Sequence, residues 1–119
     1  MRSGAAGERE ACSYLERQGY TILGRNFRIR HGEIDIIARR DGVTVFVEVK
    51  QRVGRSHGEG HEAVGPEKRR RIVQAARVWA AQRGLSDAAS RFDVISIARS
   101  GDGRPLIRHD QGAFDADGE

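Results

Sequence analysis

Two short β-branched segments, residues 34–38 and 43–49, lie on either side of an Asp41-Gly42 pair. Runs of this composition around Asp-Gly are typical of a β-hairpin with a two-residue turn. The pattern therefore predicts two antiparallel strands that meet at Asp41 and Gly42. This hairpin carries most of the candidate chemistry of the chain.

The predicted register places two carboxylates across from each other. Counting back from the turn puts Asp35 opposite Glu48, and the next pair on the same face is Glu33 with Lys50. A three-residue turn would instead set Asp35 opposite Val49 and move Glu48 to the other face. With the two-residue turn, one face carries Glu33, Asp35, Phe46, Glu48 and Lys50, and the core face carries Ile34, Ile36, Ala38, Val45, Val47 and Val49.

The remaining pattern predicts two helices and further strands around this hairpin. Helical spacing of apolar positions indicates a helix over residues 5–18 and a second over residues 66–83, each followed by a glycine. Strands are expected at 20–28 and 92–98, with a short fifth strand at 106–107. The predicted fold is α/β in the order α-β-β-β-α-β-(β), with a mixed sheet flanked by helices.

Length and composition limit the class of protein. The 119 residues suit one domain, and residues 112–119 are polar, acidic and expected to be a flexible tail. No apolar run is long enough to span a membrane, and the N-terminus lacks the apolar stretch of a secretory signal. Because Cys12 is the single cysteine, no internal disulfide forms. These features favour a cytoplasmic protein with no membrane partner.

The charge balance favours a polyanionic partner. The net charge is +4, and the last five residues hold three acids and no base. Without them the chain has 21 basic against 14 acidic residues, a net charge of +7. A basic excess of this size is expected for a protein that binds phosphate groups.

Two carboxylates on facing strands need an explanation beyond folding. Like charges opposite each other destabilise a sheet, whereas a divalent cation between them reverses that effect. Mg²⁺ is typically held by one or two carboxylates together with substrate phosphate oxygens. Lys50 would then stabilise charge on the phosphate or orient an attacking water. The alternative is that Asp35 and Glu48 are solvated strand residues and that Lys50 is their ion-pair partner.

The arrangement of Asp35 and the following Glu48-Val49-Lys50 resembles the core of the PD-(D/E)XK nucleases. The longer series 32–38 and 45–52 resembles the YraN family, small and largely uncharacterised bacterial proteins that are endonuclease-like and distantly similar to archaeal Holliday-junction resolvases. The resemblance continues through Gly7-Glu8, Ala11, Tyr14-Leu15, Val64, Lys68, Arg71-Ile72, Ala76, 91–95, Ile107, His109 and Ala113-Phe114.

This resemblance implies a restriction-endonuclease-like domain and a metal-dependent endonuclease that cleaves DNA, including branched or junction DNA. It implies that Asp35 and Glu48 hold Mg²⁺ or Mn²⁺ with the Val49 carbonyl, and that Glu8 completes the shell. It also implies that Lys50 is the third catalytic residue. For Glu8, the alternative is a first-turn acid that the helix dipole favours.

The same resemblance, with the basic charge, implies a nucleic-acid contact by Gln51, Arg52, Lys68 and Arg71. Residues 54–64 form a glycine-rich segment that would close over substrate. Junction cleavage would suit a homodimer with two-fold symmetry.

Two other functions remain open from the sequence. One is a nucleic-acid-binding module that keeps the fold but does not cleave, and the other is an assembly protein whose basic face meets an acidic partner. Metal dependence separates the nuclease from the module, and affinity for DNA at low salt separates both from the assembly protein.

Overall fold

A computed structural model describes residues 4–52 and 64–119 of the chain. The predicted closing segment at 54–64 lies outside these residues except for Val64. The elements are α1 (Gly4–Arg17), β1 (Thr21–Ile29), β2 (Gly32–Arg40), β3 (Val43–Gln51), α2 (Pro66–Gln82), β4 (Ser90–Arg99) and β5 (Pro105–Phe114).

The five strands form one sheet in the order β1-β2-β3-β4-β5. Only β3 and β4 are parallel, because α2 connects them, and the other neighbours are antiparallel. The α/β class, the element order and the mixed sheet are therefore confirmed. The fifth strand is longer than predicted, with ten residues in place of two.

The predicted hairpin turn is confirmed by its backbone. Asp41 and Gly42 have φ angles of 52° and 79°, as a two-residue turn of this hand requires. Arg40 pairs with Val43, and the register continues without a shift to the pair Ile36–Val47. The two-residue turn thus sets which side chains of β3 share a face.

The pairing of β2 with β3 ends at Ile36 and Val47, earlier than predicted. The expected ladder pairs Asp35–Glu48 and Glu33–Lys50 do not form, and Glu33 lies 3.8 Å from Arg28 instead. Ile34 also differs from the prediction, because it packs on the α2 side of the sheet while Ile36 packs on the α1 side. The physical reason is that β2 leaves the ladder here and no longer follows its two-residue alternation.

The two helices cover opposite faces of the sheet. Ala11, Cys12 and Leu15 of α1 pack on one face, and Ile72, Ala76 and Trp79 of α2 belong to the cluster on the other. Burial of these two apolar layers is the main favourable contribution to folding. Among the described residues, neither helix is long and apolar enough to cross a membrane.

Helix α2 approaches β2 closely at Gly32. A Cβ atom added to Gly32 would collide with the backbone carbonyl oxygen of Arg71 and lie 3.4 Å from the Cβ of Ala75. Only a residue without a side chain allows this approach, which brings the N-terminal half of α2 over the start of β2.

The residues after β5 return to α2. Phe114 is buried, and the backbone carbonyl groups of Ala116 and Gly118 accept hydrogen bonds from Arg77 and Arg69. The end of the chain, for which the sequence predicts flexibility, therefore lies against the second helix in this structure.

A buried polar network joins α1 to β4 and β5. Asp93 is fully buried and forms an ion pair with Arg91, at 2.8 Å, and a hydrogen bond with His109, at 2.7 Å. His109 also contacts the Tyr14 hydroxyl. Burial alone would raise the pKa of Asp93, but the hydrogen bonds from His109, Arg91 and Gly112 outweigh burial and hold this pKa below its usual range.

We expect Gly32→Ala to destabilise the protein by about 2 kcal/mol, because α2 must move away from β2 to admit the methyl group. Urea unfolding measures this change. Gly24→Ala is the matched control, since a Cβ on that strand glycine meets no atom within 4 Å. Equal effects of the two substitutions would contradict the close approach.

We expect Asp93→Ala to lower the free energy of unfolding by about 3 kcal/mol at neutral pH, because Arg91 loses its buried partner. The loss should shrink as the pH falls through the pKa of Asp93, since its lowered pKa stabilises the fold only while the carboxylate is ionised. Urea unfolding between about pH 3 and pH 7 tests both statements. Asp87→Ala, at an exposed position, is the control.

Candidate functional site

Asp35 lies where β2 leaves β3, and its side chain replaces a ladder contact. Its Oδ2 atom accepts a hydrogen bond of 2.8 Å from the backbone N–H of Val49. That N–H lies beyond the last β2–β3 pair and would otherwise lack its partner on this strand. The bond fixes the Asp35 carboxylate against the edge of β3.

Glu48 brings a second carboxylate to the same place. Its residue is only 4% exposed, and its side chain lies close enough to Asp35 for its charge to act on that carboxylate. Burial and the charge of Glu48 raise the pKa of Asp35 to about 7, although the Val49 N–H acts in the opposite direction. The structure thus brings together the two carboxylates that the sequence singled out.

Lys68 supplies the cation next to this pair. Its ammonium nitrogen lies 2.5 Å from Oε2 of Glu48. Partial burial would lower the pKa of Lys68, but the hydrogen bond and charge of Glu48, with the charge of Asp35, outweigh burial and raise it. Lys68 therefore stands as a charged partner of the carboxylates, a contact that the sequence analysis did not predict.

An open cleft of about 520 Å³ exposes this group to solvent. Basic side chains from the β1–β2 turn and from α2 surround the two carboxylates. The cleft is lined by Arg28, Ile29, Arg30, His31, Gly32, Glu33, Asp35, Glu48, Lys68, Arg71 and Ile72.

Three of these basic residues were not assigned to the site from the sequence. Arg28, Arg30 and His31 end β1 and form the turn just before the Gly-Glu-Ile-Asp segment. That proximity in sequence is the signal that could have found them, because a tight turn keeps its residues near the start of the following strand.

Lys50 occupies the position that the resemblance assigns to a catalytic lysine. It follows Glu48 by two residues, so alternation places both on the same face of β3. It is half-buried and pairs with Ser96 in the parallel ladder. It does not line the cleft, and no ion pair joins it to another residue in the described part of the chain.

The predicted nucleic-acid residues separate into two groups. Lys68 and Arg71 line the cleft, and Arg71 is also ion-paired with Glu67. Gln51 instead packs against α1, where a Cβ on Gly7 would lie 2.7 Å from its Cδ. The backbone N–H of Arg52 donates to the Ile97 carbonyl, and this residue does not line the cleft.

Glu8 is buried on α1 and accepts a hydrogen bond of 3.0 Å from Asn26. Within residues 4–52 and 64–119, no group of three or more His, Cys, Asp or Glu side chains is placed to hold a metal ion. The structure therefore gathers Asp35 and Glu48 without Glu8, and the role of Glu8 as a ligand stays a prediction.

The donor set of the cleft suits a divalent cation that also binds substrate. Two carboxylates in contact repel each other when both are ionised, and a cation between them removes that repulsion. Two protein oxygens are enough for Mg²⁺ or Mn²⁺ when water and phosphate oxygens complete the shell. The chemistry of the two carboxylates fits such an ion, and Asp35 and Glu48 are the residues that could hold it.

We expect Asp35→Asn to stabilise the protein at pH 8 by about 2 kcal/mol in the absence of metal. Because the pKa of Asp35 is raised to about 7, the folded state holds this proton more tightly than the unfolded chain does. The stability of the wild-type protein should therefore fall between about pH 4 and pH 7 and then level off.

Urea unfolding across this pH range measures the effect. Asp87→Asn is the control, since Asp87 is an exposed carboxylate that does not line the cleft. An Asp35→Asn protein that is no more stable than the wild type at pH 8 would contradict the repulsion between the two carboxylates.

Comparison with known sequences identifies the family of the chain. The profile of the Uncharacterised protein family UPF0102 matches residues 7–97. A UPF0102 protein of Syntrophotalea carbinolica is 50% identical over 115 residues, which cover 97% of this chain and 93% of that protein.

Two further relatives agree with this match over nearly the full length. The UPF0102 protein of Anaeromyxobacter dehalogenans is 45% identical over 97% of this chain and 85% of its own length. That of Geobacter metallireducens is 50% identical over 94% of this chain and 91% of its own. The resemblance to the YraN family is thereby confirmed, and the chain belongs to the UPF0102 family.

Proposed function

We propose that this protein is a metal-dependent endonuclease that cleaves phosphodiester bonds in DNA. The observation that carries the proposal is the proximity of Asp35 and Glu48 in a cleft that is also lined by basic residues. Acidic groups that bind a cation and basic groups that bind phosphate are both needed for this reaction. A cleft with only one kind of group would suit a simpler binding function.

The two carboxylates would hold Mg²⁺ or Mn²⁺ together with the Val49 carbonyl. A bound divalent ion polarises a phosphate and lowers the pKa of an attacking water. The hydrogen bond from the Val49 N–H to Asp35 would orient this ligand, because it fixes one carboxylate oxygen and leaves the other to bind the ion. Lys50, on the same face as Glu48, would stabilise the negative charge that develops on the phosphate.

The basic walls of the cleft would bind the flanking phosphates. Arg71 lies one helical turn after Lys68 on α2, whereas Arg28 lies near the end of β1 and Arg30 in the β1–β2 turn. Cations from separate elements that line one cleft can contact more than one phosphate of a nucleic-acid backbone. Arginine also suits phosphate geometry because it can donate two parallel hydrogen bonds.

The substrate class follows from the same features. The cleft is open and its walls are charged, so an extended polyanion fits it better than a small apolar molecule. We propose DNA, including branched or junction DNA, as that polyanion, with a homodimer cutting two strands of a junction. Contacts of this kind position the backbone and carry no sequence preference of their own.

We expect the wild-type protein to cleave at least one member of a panel of linear, flapped, nicked and four-way DNA in Mg²⁺ or Mn²⁺. Glu48→Gln should reduce the rate by at least about 100-fold, because it removes one of the two carboxylates. Gel assays of end-labelled substrates measure this, with circular dichroism to show that the variant is folded.

Glu16→Gln is the matched control, since Glu16 is exposed on α1, across the sheet from the cleft. Equal cleavage by the wild-type and Glu48→Gln proteins would point to a contaminating nuclease. Salt-dependent binding of DNA without metal-dependent cleavage would indicate the non-catalytic module, and no binding at low salt would indicate an assembly role.

A further inference from the structure

The ion pair between Lys68 and Glu48 occupies the side of the carboxylate pair that faces the cleft. The Lys68 side chain is 46% exposed, whereas that of Glu48 is 5% exposed. The ammonium group therefore reaches inward from solvent to a buried carboxylate. It lies at Oε2 of Glu48, an oxygen atom that a divalent ion would also use.

The position of Lys68 on its helix is electrostatically unfavourable without this partner. Lys68 is the third residue of α2, close to the positive end of the helix dipole, and Arg69, Arg70 and Arg71 follow it. Glu67 is already paired with Arg71. The carboxylates of β2 and β3 are therefore the groups that compensate the charge of Lys68.

Charge balance favours either Lys68 or a divalent ion at Glu48, but not both. The ionised pair carries two negative charges, and Lys68 neutralises one of them. A divalent ion would neutralise both, and an ammonium group at hydrogen-bond distance from the same oxygen would then be repelled. The long, half-exposed side chain of Lys68 can move into the cleft without unfolding α2.

We infer that Lys68 is a displaceable counter-ion that stabilises the carboxylate pair in the metal-free protein and is released into the cleft when a divalent cation binds. This inference rests on the proposed function, because it requires a metal at Asp35 and Glu48. The released ammonium group then lies beside Arg71, on the wall that would meet a substrate phosphate. Metal binding would thus release the Lys68 ammonium group from Glu48, so that its positive charge can interact with a substrate phosphate.

Calorimetric titration of Mn²⁺ at about pH 8 tests the competition without any measurement of activity. Lys68→Met should bind Mn²⁺ about three- to tenfold more tightly than the wild type, because the ion no longer displaces an ammonium group. Lys68→Arg should remain close to the wild type, since a cation still occupies Glu48. Arg71→Met is the matched control, since it removes a positive charge from the same cleft but no contact with Glu48.

A second measurement follows the Lys68 side chain in the wild-type protein and uses Glu48→Gln only as a reference. Lys50 and Lys68 are the only lysines of the chain, so carbon-13 lysine labelling gives two ε-carbon signals. Glu48→Gln without metal shows where the Lys68 signal lies when its partner is lost. Saturation of the wild-type protein with Mg²⁺ should move the Lys68 signal toward that position.

The outcomes separate the inference from the function on which it rests. If Lys68→Met and Arg71→Met increase the affinity for Mn²⁺ equally, the effect comes from the net charge of the cleft and the inference is overturned. A Lys68 signal that stays unchanged in saturating Mg²⁺ would also overturn it, while the metal site would stand. If neither ion binds to the wild type or to any variant, the proposed metal-dependent function fails, and the inference fails with it.

Discussion

The hydrogen bond from the Val49 N–H to the Asp35 carboxylate is the contact on which the candidate site depends. Strand β2 must leave β3 after the pair Ile36–Val47 if a cleft is to open, and this departure leaves a backbone donor of β3 without its ladder partner. A carboxylate that accepts this donor satisfies the backbone and at the same time becomes fixed beside Glu48. The candidate site therefore forms at the point where the pairing of β2 with β3 ends.

The second constraint is electrostatic and comes from outside the hairpin. Two neighbouring carboxylates, of which Glu48 is buried and Asp35 half-buried, are unstable as a pair of charges. Lys68 of α2 compensates them, and the close approach of α2 to Gly32 keeps this helix near the pair. The packing of a helix on a glycine thus controls which cation reaches the acids. The position of α2 also brings Arg71 to the cleft. The same helix therefore supplies both the cation that contacts Glu48 and a second basic residue of the cleft.

The opposite face of the sheet contributes stability without contributing side chains to the cleft. There the Asp93 carboxylate is hydrogen-bonded to Arg91, His109 and the Gly112 N–H, and the Tyr14 hydroxyl of α1 is hydrogen-bonded to His109. These groups fix α1 against β4 and β5, and the same sheet then presents β2 and β3 to α2. Rigid layers on both sides allow the edge between β2 and β3 to open without loss of the fold.

The sequence by itself determined the hairpin, the order of elements and the proximity of Asp35 to Glu48, because an Asp-Gly turn sets the register and the two-residue alternation sets the faces. Only the tertiary structure decided that the ladder ends at Ile36, that Ile34 faces α2, and that β5 extends to Phe114. It also decided that Lys68, not Lys50, contacts Glu48, and that Gln51 packs against α1. The reason is the range of the interactions: turn and alternation are encoded in neighbouring residues, whereas the contacts of α2 with β2 and β3 depend on how distant segments pack.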